Sequence, residues 1–455
     1  MEQTLTNEYY LESAPITKAI AHLSIPMMVG MSVGTIYNVI NAFFIGLLHN
    51  TEMLTAVTLG LPIFTILMAF GNMLGAGGGT FITRLIAKQE IENAKKIAGY
   101  TFYSSIIVGI LIAIIALFTL TPIVKIMGAD TSTIIDFTKR YSLTMFLGGF
   151  SIVLNFALEQ VVRAEGASRE SMYGMFISTV LSLFFDILFI LVLKFNVVGV
   201  ALSMILGNIG SCIYYVYYLE TKSEHLKGFI RYFSISLKDK MEIYKIGVSE
   251  LILTIFLIIT TLLLNNFSIG YGDSVVAGFG IALRIVQIPE FLSMGLSLGI
   301  IPLIAYNFSN KNIKRLQEGI KQSALWILGL SGVFITLVYI FRNTIIRLFS
   351  NDPSVLSIGV YIMLAMLISA LFNGFTTLFT GIFQASGQGI PSIIMSVTQG
   401  ILFIPVIIIL HNFFGLHGII WSMTVTEIIT CIMGAVLYII FNYKITKLQL
   451  KQVNI

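Results

Sequence analysis

Charge is what this sequence most lacks. Asp, Glu, Lys and Arg make up 11% of its 455 residues, against about 25% in soluble domains. A water-soluble fold of this size needs more polar surface than that to cover its core, so that class is excluded. Cysteine is scarce as well. Cys212 and Cys431 both lie in apolar runs, which excludes a disulfide framework and leaves two small buried side chains. Only five histidines occur. They form no H-E-x-x-H pair and no Ser–His–acid constellation at a workable spacing, so neither a zinc hydrolase nor a triad enzyme is expected. No basic face is concentrated enough for nucleic acid. The first fifteen residues are polar and carry Glu2, Glu8 and Glu12, so no cleavable signal is expected and the first apolar segment should act as an uncleaved anchor.

What fills the sequence instead is apolar side chain: 56% of residues, with a mean hydropathy of +0.92. Residues 102–121 (FYSSIIVGILIAIIALFTLT) carry no charge at all, and residues 251–272 form a second such run. Runs of about 18 or more apolar residues mark spanning helices. The hydropathy pattern predicts about twelve: 19–48, 54–86, 96–121, 136–162, 170–193, 197–219, 243–268, 275–308, 319–341, 355–383, 391–410 and 415–441. The fold class expected is therefore an all-α membrane protein.

Lysine and arginine set the expected orientation. With the N-terminus inside, 20 of the 27 fall on inner loops and flanks, 6 fall outside, and Arg284 lies within a span. The bias predicts a multi-pass cell-membrane protein with both termini cytoplasmic.

The chain also repeats. Residues 123–132 (IVKIMGADTS) resemble 345–354 (IIRLFSNDPS), 162–166 (VRAEG) resemble 383–387 (FQASG), and 196–201 (NVVGVA) resemble 415–420 (GLHGII). The offsets are 222, 221 and 219. Six spans per half give both halves the same orientation, which is a transporter plan with parallel repeats. The expected organisation is an N-terminal lobe at 1–219, a cytoplasmic linker at 220–241 and a C-terminal lobe at 242–455.

Ionisable groups at bilayer depth are functional candidates because they are costly to place there. Asp186 lies about sixteen residues into its span, roughly 24 Å from the inner end. Asn38 and Asn41 reach a similar height and share a helix face. Ser182 lies one turn before Asp186. Two amides, a hydroxyl and a carboxylate at one depth suit a proton or a small cation such as Na⁺; the structural alternative is an interhelical clasp. Glu159 and Arg163 are spaced to pair on one helix. Glu165, in the loop that follows, reads as a solvated charge. In the second half Arg284, Gln287 and Glu290 recur every three residues beside Pro289, and Glu427 lies near mid-depth of the last span. These four are candidates for substrate binding or second-lobe coupling. Gly71, Gly75, Gly77, Gly78 and Gly79 form no phosphate loop, since no Lys follows at the required spacing; close helix packing is the reading.

Several segments resemble the MATE family (multidrug and toxic compound extrusion), most nearly its MepA-like branch. They are 23–28 (LSIPMM), 37–46 (YNVINAFFIG), 158–164 (LEQVVRA), 284–308 with its VQIPEFLSMG and IPLIAYNF, 379–389 (FTGIFQASGQG) and 418–422 (GIIWS). The similarity runs along nearly the whole chain in the family's order. It implies two six-helix bundles in a V shape. It also implies antiport, in which inward H⁺ or Na⁺ drives export of amphipathic, mostly cationic compounds by alternating access, by a monomer that needs no cofactor. Asp186 falls on the family's fifth-span coupling aspartate. Asn41 stands where many relatives carry aspartate, and Ser182 and Ile187 replace an Asn and a Pro frequent beside that position. The rival readings are a lipid-linked saccharide flippase of the same superfamily and a channel.

Overall fold

A computed structural model of the chain describes residues 6–46, 50–128, 131–347, 349 and 352–453, with the side chains of 35, 38, 39, 42, 43, 45, 46 and 448–453 excepted. The described residues are almost entirely helical, with no strand among them. In chain order the helices are α1 (Asn7–Glu12), α2 (Ile16–Gly46), α3 (Thr51–Ala87), α4 (Ile91–Ile126), α5 (Ser132–Leu147), α6 (Gly149–Ala164), α7 (Ser168–Asp186), α8 (Asn196–Thr221), α9 (Leu237–Ile269), α10 (Asp273–Ser309), α11 (Ile313–Arg347), α12 (Pro353–Ala385), α13 (Gly389–Ile401), α14 (Phe403–Phe414) and α15 (Leu416–Val453). A π-helical turn, Ile187–Val192, continues α7, and a 3₁₀ turn, Phe229–Arg231, precedes α9. Their starts are locally encoded. Asn50 accepts from the Met53 N–H at 3.0 Å, Thr131 from Ile134 at 3.3 Å and Asp352 from Ser354 at 2.8 Å, the last with Pro353 in the first helical position.

Eleven stretches are long and apolar enough to cross a membrane, and α5 with α6, bent by 50°, makes a twelfth. The span expected at 136–162 is this bent pair. The break sits at the Gly148–Gly149 pair. There Ile205 of α8 fills the space a side chain would need, 2.3 Å from a Cβ built on Gly148, and the Ser151 hydroxyl donates to the Gly148 carbonyl at 2.8 Å. A second break separates α13 from α14. Pro405 has no N–H with which to reach back to Ile401, so the ladder is interrupted there.

The glycines of α3 pack as their spacing predicts. Gly71, Gly75 and Gly79 lie one turn apart and face α6, where a Cβ would stand 2.6 Å from the Val153 carbonyl, 3.0 Å from Ala157 Cα and 2.9 Å from the Gln160 carbonyl. Gly78 meets Thr101 of α4 and Gly77 meets the Ile243 carbonyl of α9. One glycine-rich helix therefore lets the backbones of α6 and α9 and the Thr101 side chain of α4 approach closely.

By packing, the chain forms two compact units. One comprises Met1–Leu11 and Val29–Thr254, the other Glu12–Met28 and Ile255–Ile455. The first is built around Ile63, Leu67, Tyr141, Met145, Val153 and Val200. The second is built around Phe279, Ile362, Met366, Phe403, Ile407 and Ile419. Helices α2 and α9 occupy corresponding places in the repeat, and each changes unit part-way along its length. Many outward side chains are large and apolar: Phe118 on α4 is 84% exposed, as a lipid-facing helix requires.

The segment 220–241 is not a loose tether. Phe229 is fully buried, the Tyr103 hydroxyl donates to the Ile230 carbonyl at 2.8 Å, and Glu220 accepts the Gly228 and Ile230 N–H groups. Gly99 of α4 makes room for it, since a Cβ there would stand 2.1 Å from the Tyr232 carbonyl.

Gly71→Ala drives its new methyl to within 2.6 Å of backbone oxygen, so thermal unfolding of the detergent-purified protein should show a lower Tm, a cost of about 1–3 kcal/mol. Gly332→Ala on α11 meets nothing within 4 Å and should leave Tm unchanged or raise it. Equal Tm changes in the two variants would refute the packing role given to α3.

Candidate functional site

Asp186 is fully buried at the last helical position of α7, and its carboxylate is met by donors from two other helices. From α2, Asn41 donates through Nδ2 to Oδ2 at 3.3 Å and to the Tyr37 hydroxyl at 2.8 Å. From α8, the Ser203 hydroxyl donates to Oδ1. Tyr37, which accepts from Asn41, and the fully buried Tyr141 of α5 lie near the same carboxylate. All these residues belong to the first unit.

The local sequence explains the geometry. Tyr37 and Asn41 are one turn apart on α2, so both address the same neighbour. Gly207 of α8 brings α7 close, with a Cβ there only 2.0 Å from Ser182 Oγ. Immediately after Asp186 the helix widens into its π turn, where the Leu193 N–H reaches Leu188 at 2.8 Å. Phe185, Phe189 and Phe195 stack along that turn at centroid distances of 5.4 and 5.6 Å. Single π turns inside helices often accompany functional sites. This one stands at Ile187, where the resemblance calls for proline.

Ser203 carries the chemical interest. Its hydroxyl has one hydrogen and two acceptors in reach, Asp186 Oδ1 and the Val200 carbonyl at 2.8 Å. If Asp186 is ionised, the hydrogen belongs to the carboxylate. If Asp186 takes a proton, it donates to Ser203 Oγ, and the serine turns its own hydrogen to Val200. The site thus holds either protonation state without stranding a buried polar group.

Of the residues expected here, the structure brings Asn41, Ser182 and Asp186 together. The side chain of Asn38 lies outside the described residues, though its backbone belongs to α2. Glu159 is buried elsewhere and pairs with Arg163 one turn on, at 2.9 Å. Tyr37 and Ser203 were missed. Tyr37 was legible as the residue one turn before Asn41, whereas Ser203 sits on a different helix and gave no local signal.

In the second unit, Glu427 is buried and accepts from Asn373 of α12 at 3.1 Å and Gln399 of α13 at 2.8 Å. Glu290 is half-buried with Glu427 as its charged neighbour. Arg284 and Gln287 are exposed on α10, and among the described residues Arg284 forms no ion pair. Among the described residues no cluster of three or more His, Cys, Asp or Glu side chains is arranged for a metal ion.

The expectation for Glu165 is overturned. It is 2% exposed, beneath the segment that follows α8. It accepts from the Ser223 hydroxyl at 2.7 and 2.8 Å and from the His225 N–H at 3.2 Å, while Ser223 in turn accepts from the Leu226 N–H at 2.7 Å. Helix α1 closes over the same place: Asn7 donates to Glu224 at 3.2 Å, Glu8 pairs with His225 at 3.6 Å, and Leu11 packs on Gly166. Burial pushes the Glu165 carboxyl up to about 7, partly countered by its hydrogen bonds to Ser223 and His225.

Comparison with known proteins places these features in context. A family profile described as MatE matches residues 26–188 and 246–409. The chain is 37% identical over 437 residues, 96% of each chain, to a protein of Staphylococcus haemolyticus named Multidrug export protein MepA. It is 36% identical to the protein of that name from Staphylococcus saprophyticus, over 95% of each. Among solved structures, it superposes on an outward-facing multidrug resistance MATE family transporter of the MOP superfamily with a TM-score of 0.91, covering 98% of this chain and 100% of the other at 24% identity.

Since the folded-state value of Glu165 lies above its ordinary 4.5, its stabilising contribution is complete below pH 4.5 and is lost as pH rises through about 7. Thermal melts across that window should show the wild type losing stability relative to Glu165→Gln. The difference should reach on the order of 3 kcal/mol above it. Parallel profiles for the two proteins would contradict the assignment.

Proposed function

Because the chain belongs to the MatE family, whose members are transporters and not enzymes, we propose that it is a secondary active multidrug exporter. It moves amphipathic, mostly cationic compounds out of the cell in exchange for H⁺ or Na⁺. Both termini lie in the cytoplasm, the six-span lobes at 1–219 and 242–455 alternate access as a monomer, and 220–241 links them. Support for the substrate class comes from the near full-length similarity to the staphylococcal multidrug export proteins. Support for coupling comes from one arrangement: a fully buried carboxylate, Asp186, held by Asn41 and by a serine with a second acceptor in reach.

In this mechanism Asp186 is the coupling residue. Its ionised form binds the three helices α2, α7 and α8 together through donors. Protonation, or a cation in place of the proton, removes the net charge that those donors serve. Ser203 then turns to Val200, the hold of α7 on α8 weakens, and the π turn beside Asp186 gives the helix a place to adjust. Substrate and ion interconvert the same two states, so each leaves when the other is bound. Asn41 and Ser182 support the site, with Asn38 beside them. Glu159 has a secondary role, limited by its pairing with Arg163. Glu290 and Glu427, with Asn373 and Gln399, offer negative charge to a cationic substrate in the second lobe, with Arg284 and Gln287 further along α10. Pump operation needs no cofactor besides the coupling ion.

Ethidium efflux from cells expressing matched amounts of wild type and Asp186→Asn is the direct test. The wild type should clear dye, and the variant should match cells without the transporter; imposed pH and Na⁺ gradients then name the ion. Equal efflux by both would remove Asp186 from the mechanism. Failure of the wild type across a broad dye panel would favour the flippase alternative. Ser203→Ala should lower efflux and displace its pH optimum, whereas Ser203→Thr, which keeps the hydroxyl, should restore both. An unaltered pH profile in Ser203→Ala would exclude the serine from the switch.

A further inference from the structure

Well away from Asp186, the first unit contains a cavity of about 630 Å³ where α3 ends, α4 begins and α9 starts. Two local features shape it. Between α3 and α4 the chain reverses in three residues, with Gln89 at φ +61°. Before α9, Ser236 caps the helix, accepting the Asp239 N–H at 3.2 Å and donating to its carboxylate at 2.6 Å.

The charges around it are unevenly committed. Each of its three acids is engaged locally. Glu90 accepts from Asn93 at 3.0 Å, Asp239 is held by Ser236, and Glu242 pairs with Arg84 at 2.8 Å. Its three lysines are not. Lys88, Lys96 and Lys238 line the cavity, and among the described residues none of them forms an ion pair. The hydrogen bonds to Glu90 and Asp239 come from neutral groups and leave their charges in place, so four cations and three carboxylates give the lining one net positive charge.

Arg84 supplies a second sign. Its side chain is 12% exposed; Nε donates to the Thr80 carbonyl and Nη1 to Glu242. The remaining nitrogen, Nη2, is buried with no acceptor among the described residues. A buried guanidinium N–H without an acceptor is costly, and beside a cavity ringed by lysines the acceptor it lacks is an anionic oxygen.

The neighbouring surface identifies what carries that oxygen. A groove of Leu237, Met241 and Lys245 adjoins the cavity through Lys238 and Glu242. Leu237 and Met241 lie one turn apart on α9 and are 74% and 66% exposed. A soluble phosphate has no use for an apolar shelf beside its charge. An amphiphile has, because its charged head and its chains must be met side by side. Basic pockets between spans at the cytoplasmic face suit anionic lipid head groups.

We infer that the cavity between α3, α4 and α9 binds the phosphodiester of an anionic phospholipid. Lys88, Lys96 and Lys238 hold the charge, Arg84 Nη2 reaches a phosphate oxygen, and the acyl chains lie over Leu237 and Met241. The bound lipid fastens the start of α9 to the α3–α4 turn.

Native mass spectrometry of the full-length, detergent-purified protein tests this independently of transport and of orientation. Phosphatidylglycerol, phosphatidylcholine and glycerol phosphate are titrated separately. The wild type should retain phosphatidylglycerol in preference to phosphatidylcholine. Lys88→Ala/Lys96→Ala/Lys238→Ala, checked for an unaltered size-exclusion profile, should weaken phosphatidylglycerol binding by on the order of a hundredfold. Lys311→Ala/Lys314→Ala/Lys321→Ala, the same charge change in the second unit, should bind as wild type. Leu237→Asp/Met241→Asp keeps the lysines and should also lose the lipid. Equal retention of the two lipids overturns the proposal, as does an equal loss in both lysine variants. Displacement of phosphatidylglycerol by equimolar glycerol phosphate overturns the lipid assignment in favour of a soluble phosphate site.

Discussion

A hydrocarbon slab offers no water to an unpaired N–H or C=O, and most of this structure follows from that constraint. Backbone groups are satisfied inside long helices, and hydroxyls within those helices return to carbonyls one turn back. Thr80 bonds to Ala76, Thr101 to Ile97, Ser105 to Thr101 and Ser268 to Leu264. With polar groups so occupied, helices associate by shape. The α3 glycines answer that need by admitting the backbones of α6 and α9 and the Thr101 side chain of α4. Where α5 gives way to α6, the Gly148 carbonyl finds a substitute donor in the Ser151 hydroxyl. The two buried charges of α6, Glu159 and Arg163, neutralise each other on a single helix.

Against that background the two units use their acids differently. Ser203 and Ser422 are equivalents at the repeat offset of 219, and they make the same backbone bond, to Val200 at 2.8 Å and to Ile419 at 2.7 Å. Only Ser203 also meets a carboxylate. The counterpart of Asp186 falls among residues 405–407, which are Pro, Val and Ile. Proline there interrupts the hydrogen-bond ladder of the span, whereas in the first unit the helix widens into a π turn. The second unit carries its buried acid on α15 instead, held by amides from α12 and α13. The two repeats thus share the serine–carbonyl bond, and among the described residues only Ser203 of the pair has a carboxylate against it.

The face that bears α1, Glu165 and the α8–α9 segment follows another logic. Outside the spans, water is available, yet Glu165 is sealed by chain more than fifty residues away. Its hydrogen bonds fix residues 223–226, and Glu220 fixes 228–230. The segment between the repeats is therefore an ordered part of the first unit, and a carboxylate that looks solvated in sequence is a structural anchor.

Sequence by itself determined the class of fold, the number of spans and the packing role of the α3 glycines, though not the full length of α4, α9, α11 and α15 or the breaks at 148 and 402. What it determined depends on the character of consecutive residues: apolar length and the spacing of small side chains. It also identified Asp186 and Asn41, because a polar residue in an apolar run stands out by itself. Only the tertiary structure decided that Ser203 completes the cluster, that Glu427 is held by Asn373 and Gln399, and that Glu165 is buried. Those facts depend on which helix faces meet, and hydropathy carries no record of a partner. A serine in a span reads the same whether its hydrogen goes to its own carbonyl or to a carboxylate on another helix.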